Sequence, residues 1–105
     1  MLNAPLHRGR LFMTRESKIE TYLVKRVTAE GGEVRKVAWI GRRNAPDRRV
    51  MRPNRLPVWV ELKAPKKGLT RAQKREHERM VRLGENVHVI KTIGQVDHFM
   101  EFGYV

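Results

Sequence analysis

Residues 58–65 read VWVELKAP. Side chains alternate across a β-strand, so Val58, Val60 and Leu62 fall on one face and Trp59, Glu61 and Lys63 on the other. The first set is a core face. The second puts a carboxylate and an ammonium beside a tryptophan, and stripping water from such ions is costly unless each finds excellent partners. Either Glu61 and Lys63 form a structural ion pair, or something charged binds against them.

A strand that is apolar on both faces apart from two charges suits the middle of a sheet. Its expected extent is residues 58–64. Immediately upstream, RPNRLP at residues 52–57 is a turn with two prolines. Before that turn, residues 47–51 make a short second strand. Residues 34–40 are β-branched and aromatic enough for a first strand, and GRRNAP at 41–46 is a basic loop. At the start, Ile19, Leu23, Val24 and Val27 form the stripe of an amphipathic helix over residues 14–30, ended by Gly31 and Gly32. Downstream, residues 70–83 form a second helix with Leu69, Met80 and Leu83 towards the core, stopped by Gly84. A buried-type strand follows at residues 87–90, and residues 96–102 form a last short helix or turn. The order is αβββαβ. The first three strands can join as an antiparallel meander, and the strand, helix, strand passage implies a parallel pair. The expected fold class is α/β, with a mixed central sheet flanked by helices.

The chain of 105 residues is long enough for one domain and too short for two. Its 23 Lys and Arg against 11 Asp and Glu give a net charge of +12, which points to a polyanionic partner. Nucleic acid is the first candidate and membrane phosphate headgroups the weaker alternative. No stretch approaches the roughly 20 apolar residues that a spanning helix needs. The absence of cysteine removes disulfide frameworks and thiolate metal sites, and makes a reducing cytoplasm the default location. Residues 1–13 lack the apolar stretch of a signal peptide and read as a loose basic arm ahead of a second start at Met13. The single domain is expected over residues 14–105.

Asp47 opens the second strand directly after Pro46. If the second and third strands pair through the proline turn, Asp47 lies across from the end of the third strand, where it can converge with Glu61 on one cation. Mg²⁺ or Mn²⁺ suits such a site, because hard ions take oxygen ligands and are held by one or two carboxylates together with substrate phosphate. Lys63, on the same face, would reach the same spot. An ion next to an ammonium suits phosphodiester hydrolysis.

APDRRV, followed by VWVELKAPKKGLTRAQKREHERMVRLG, resembles the PD-(D/E)XK nuclease superfamily. More narrowly, the chain resembles the virus-type replication-repair nuclease (VRR-NUC) domain in its small stand-alone phage and bacterial form. RESKIETYLVKRVTAEGG and the helix start LTRAQ extend that likeness over about residues 14 to 95. The resemblance implies a restriction-endonuclease-like core, with Asp47 and Glu61 as metal-binding acids, the Leu62 carbonyl as an additional ligand and Lys63 as the catalytic lysine. It also implies that Glu16 or Glu20 serves the metal, directly or through water, and that Gln73 is a catalytic-site glutamine. The function implied is a Mg²⁺-dependent or Mn²⁺-dependent endonuclease acting as a homodimer on branched DNA such as four-way junctions, in the cytoplasm of a bacterial cell, encoded by the bacterium or by a phage. The alternatives are a nuclease for flaps, nicks or plain duplex, and a non-catalytic basic DNA-binding module. Asn44 stands where the family usually has glycine, and asparagine tolerates left-handed backbone well.

Several of these residues have simpler readings. Ser17 to Glu20 and Thr70 to Gln73 both fit capping boxes. Glu16 and Glu20 form a like-charge i, i+4 pair that a nearby cation would relieve. Arg42, Arg43, Arg48 and Arg49 around Asp47, with Lys66, Lys67, Arg71 and Lys74 beyond Lys63, are candidate phosphate contacts or a solvated basic surface. His7, His77, His88 and His98 lack ligand-like spacing and read as surface or core histidines. Trp39, Trp59 and Phe99 read as core.

Overall fold

The computed structural model describes residues 15–103. The expected basic arm and His7 lie outside these residues. Helix α1 (Arg15–Ala29) is followed by β1 (Glu33–Lys36), β2 (Arg48–Met51), β3 (Val58–Leu62), α2 (Arg71–Arg82), β4 (Val87–Ile90) and α3 (Ile93–Phe102). The sheet order is β1-β2-β3-β4; the first two pairings are antiparallel and β3 runs parallel to β4 through α2. The expected α/β class and the mixed sheet are therefore observed, with one more helix than the αβββαβ order.

Alternation along β3 divides the molecule as its sequence implies. Val58, Val60 and Leu62 join Val50 and Ile90 under Ile19, Leu23 and Val27 of α1 and Val96, Phe99 and Met100 of α3. The opposite face, carrying Trp59 and Glu61, receives α2, whose His77 touches Glu61. Trp39 tilts against Trp59 with ring centroids 4.9 Å apart, Arg49 lies over the same indole, and Glu85 accepts its N–H. Arg49 is thus occupied by the tryptophan.

Both long helices end the same way. In α1, Gly32 N–H donates to the Val27 carbonyl and Gly31 N–H to Thr28; in α2, Glu85 N–H reaches Met80 and Gly84 N–H reaches Val81. These are Schellman closures, and their αL positions are Gly31 at φ 84° and Gly84 at φ 97°. Thr70 and Gln73 form the expected capping box of α2. Ser17 does not start a helix: α1 is already under way at Arg15, which leaves Glu20 free to pair elsewhere.

Other expectations shift. The first strand stops at Lys36, although Val37 N–H still reaches the Asp47 carbonyl; beyond it the chain turns outward and Ile40 is fully exposed. Leu83 faces solvent because the α2 closure turns the chain away from the sheet. The last helix begins three residues before residue 96, at Ile93, capped by the Thr92 hydroxyl. In the 52–57 turn, Asn54 adopts φ 58° and Arg55 N–H returns to the Arg52 carbonyl, while Arg52 itself is buried, lies over Phe99 and donates to the Met100 and Gly103 carbonyls. An arginine that reads as a turn residue thereby ties the β2 end to the end of α3.

Gly32 packs where no side chain fits: a Cβ would stand 2.4 Å from the Met51 carbonyl oxygen and 2.9 Å from Val27 Cγ1. Gly32→Ala should cost about 2 kcal/mol, roughly 10 °C in Tm for a domain of this size. Gly68→Ala, which meets nothing within 4 Å, should melt near the wild-type temperature. Thermal denaturation followed by circular dichroism checks both.

Candidate active site

The β2–β3 register decides where the acids stand. Arg49 pairs with Trp59 and Arg48 with Val60, so one further step places Asp47 opposite Glu61 and on the same face. Directly opposed residues in antiparallel strands bring their Cβ atoms to about 5 Å. The Asp47 charge is close enough to help raise the Glu61 carboxyl. Lys63 follows on that face, half-buried, its N–H bonded to the Ile90 carbonyl. Because the Trp59 and Lys63 amides point to the β4 side, the intervening Leu62 carbonyl points to the β2 side, into the space beyond Arg48 where Asp47 stands.

Glu61 is not half of an ion pair with Lys63. Its direct partner is His77, with Nε2 3.3 Å from Oε1, and the carboxylate is 12% exposed. Burial first, then the Asp47 charge, push its carboxyl up to about 7; Glu16 adds to this, while Lys63 and Arg48 oppose it. Burial also lowers the His77 pKa, so the imidazole is neutral at pH 7. His77 Nδ1 is buried with no hydrogen-bond partner among the described residues, so the ring is held to Glu61 through Nε2. Spacing alone conceals His77; its signal is the stripe Gln73, His77, Met80, the i, i+4, i+7 face of an otherwise charged helix.

The two helix-one glutamates differ. Glu16 is exposed and its charge reaches Glu61. Glu20 accepts from Arg48 Nε at 2.5 Å, and the same guanidinium holds Asp47 through Nη1 at 2.7 Å. Arg48, read from sequence as a phosphate contact, is instead buried and fastens Asp47 to α1. Arg42 likewise pairs with Glu76. Gln73 gives its Oε1 to the Thr70 amide, filling the capping role. Arg43, Lys66, Lys67, Arg71 and Lys74 are exposed. Asn44 takes the left-handed conformation at φ 68°, which asparagine tolerates well.

No family model matches the chain. It is 44% identical over 78 residues to "Putative nuclease p44" of Acyrthosiphon pisum secondary endosymbiont phage 1, a match spanning 74% of this chain and 84% of that protein. A solved VRR_NUC domain is similar at 38% identity with a TM-score of 0.78, covering 87% of this chain and 99% of that one. The chain belongs to the VRR-NUC family. In this VRR-NUC domain Glu61 stands near the end of β3, and Asp47, one residue before β2, lies opposite it. No helix among the described residues is long and apolar enough to cross a membrane.

Among the described residues, no three His, Asp or Glu side chains converge as a complete metal cage. Two facing carboxylates and a backbone carbonyl nonetheless match the partial oxygen set by which magnesium is held, the remaining positions being water and substrate. The like charges around Glu61 are what a cation would relieve. A carboxyl whose folded pKa exceeds its ordinary value contributes stability fully at low pH and loses it as pH rises through the folded value, here about 7. In chelator, wild type should therefore lose on the order of 3 kcal/mol relative to Glu61→Gln between pH 5 and pH 8. Denaturant titrations at the two pH values check this; parallel losses in both proteins would contradict the assigned environment.

Proposed function

We propose that this protein is a Mg²⁺-dependent or Mn²⁺-dependent endodeoxyribonuclease, with Asp47, Glu61 and the Leu62 carbonyl as metal ligands and Lys63 as the catalytic lysine. The observation that carries this reading is the register that sets Asp47 opposite Glu61, with Lys63 on the same face. Bound there, the ion would supply Lewis acidity and lower the pKa of water. Lys63 then orients the attacking water or the scissile phosphate and offsets the charge that develops on it. Glu16, the helix-one acid whose charge reaches Glu61, serves the metal through water. Glu20 acts through Arg48, which fixes Asp47. His77 fixes Glu61. Gln73 sits on the helix face turned to the site, with its amide nitrogen available to substrate while Oε1 caps the helix. Arg43, Lys66, Lys67, Arg71 and Lys74 contact the DNA backbone. Arg42 does so from its pairing with Glu76, and Arg48 contributes positive potential from within.

The substrate is branched DNA, four-way junctions foremost, cut by a homodimer whose two sites address symmetric strands. The phage nuclease relative supports the nuclease reading. The rival is a non-catalytic module whose basic second helix binds DNA; the contact of Glu61 with His77, in place of the Glu61–Lys63 pair that reading expects, favours the nuclease.

Labelled four-way junction, flap, nicked and linear duplex should be incubated with the protein in Mg²⁺, Mn²⁺ and chelator. Cleavage is expected only with metal and fastest on the junction. Asp47→Asn and Lys63→Ala should each lose at least ~100-fold in rate while binding DNA in chelator about as well as wild type. Metal-independent binding with no cleavage of any substrate would favour the module. Sedimentation equilibrium tests the dimer.

A further inference from the structure

A second basic site lies beside the acids. Gly41, Arg42, Arg43 and Asn44 face the α2 stripe of Ala72, Arg75, Glu76, Arg79 and Arg82 across an open groove of about 430 Å³. Its floor is fixed by one buried carboxylate. Glu76 accepts from Arg79 through both oxygens at 3.1 Å and from Arg42 at 2.5 Å. Arg79 and then Arg42 hold its carboxyl down at about 2, so the anchor stays charged at any working pH. Three arginines remain: Arg43, Arg75 and Arg82 are exposed and make no ion pair among the described residues. Arg75 and Arg82 are seven residues apart on one helix, roughly 10 Å along its axis.

We propose that this groove seats the sugar–phosphate backbone of a DNA duplex arm, at a place separate from the scissile phosphate. The lining chooses between polyanions. Among the described residues its lining holds no aromatic ring, so it lacks the aromatic platforms on which single-strand binders stack successive bases. Guanidinium forks spaced along one helix face suit phosphate oxygens instead. The groove also adjoins the acids through the chain itself: Asn44 lines it, and Asp47 follows three residues later. The Arg42–Glu76 pair that shapes the groove therefore also anchors the loop that delivers Asp47. An arm seated there would set the distance from branch point to cut, which is how a protein without base contacts can select a branched substrate.

This inference rests on the nuclease reading for its ligand, yet it can be tested without catalysis. Fluorescence anisotropy in chelator, over a series of salt concentrations, measures binding of labelled duplex, junction and single strand. For Arg75→Ala/Arg82→Ala, affinity for duplex and junction should fall about tenfold and the salt slope should shrink by about 2. Arg75→Lys/Arg82→Lys should recover the slope. Lys25→Ala/Lys36→Ala, which removes the same charge from exposed positions elsewhere, should change binding less. Equal losses in the groove pair and the control pair would overturn the groove, as would a wild-type preference for single strand. Cleavage by wild type with binding untouched by the groove pair would sink the groove alone. Salt-sensitive groove binding without any cleavage would sink the catalytic reading alone.

Discussion

The antiparallel register between β2 and β3 is the constraint on which everything else depends. A slip of one residue would send every side chain of β2 to the opposite face, exchanging Asp47 with Arg48 and ending the opposition to Glu61. The register is held at both ends. The tight return from Arg52 to Arg55 fixes the turn, with Asn54 in the left-handed conformation it needs. Val50, Val58 and Val60 then bury on the core face, so the register that satisfies the core also aligns the acids.

Two glutamates with little solvent exposure show how environment separates structure from chemistry. Glu76 meets two guanidinium groups and sits near 2; Glu61, pushed first by burial and then by the Asp47 charge, rises to about 7. The first is a finished ion-pair network. The second is held at a cost in stability that a bound cation would offset. Arg48 takes the intermediate part, drawing Asp47 and Glu20 together without neutralising Glu61.

Much of this was legible in the sequence because it follows period and turn chemistry. The α1 stripe, the two glycine closures, the alternation in VWVEL and the Thr70–Gln73 box are local patterns, and each element formed where its pattern stands. Legibility stopped where long-range partners decide. Nothing local shows that Arg52 will be buried against Phe99, that Arg48 will turn inward to Glu20, or that Arg42 belongs to Glu76. His77 escaped because histidine spacing was the wrong test and burial on a charged helix the right one. The Ser17–Glu20 box failed for a related reason: a helix that begins earlier makes a capping signal irrelevant.

The central claim is that two facing carboxylates at the end of β3 share one hard cation. Anomalous diffraction from crystals soaked in Mn²⁺ addresses it directly. The account predicts a peak between Asp47 and Glu61, within about 2.2 Å of an oxygen from each and of the Leu62 carbonyl. A peak elsewhere, or none while Asp47 and Glu61 remain in place at saturating metal, would contradict it.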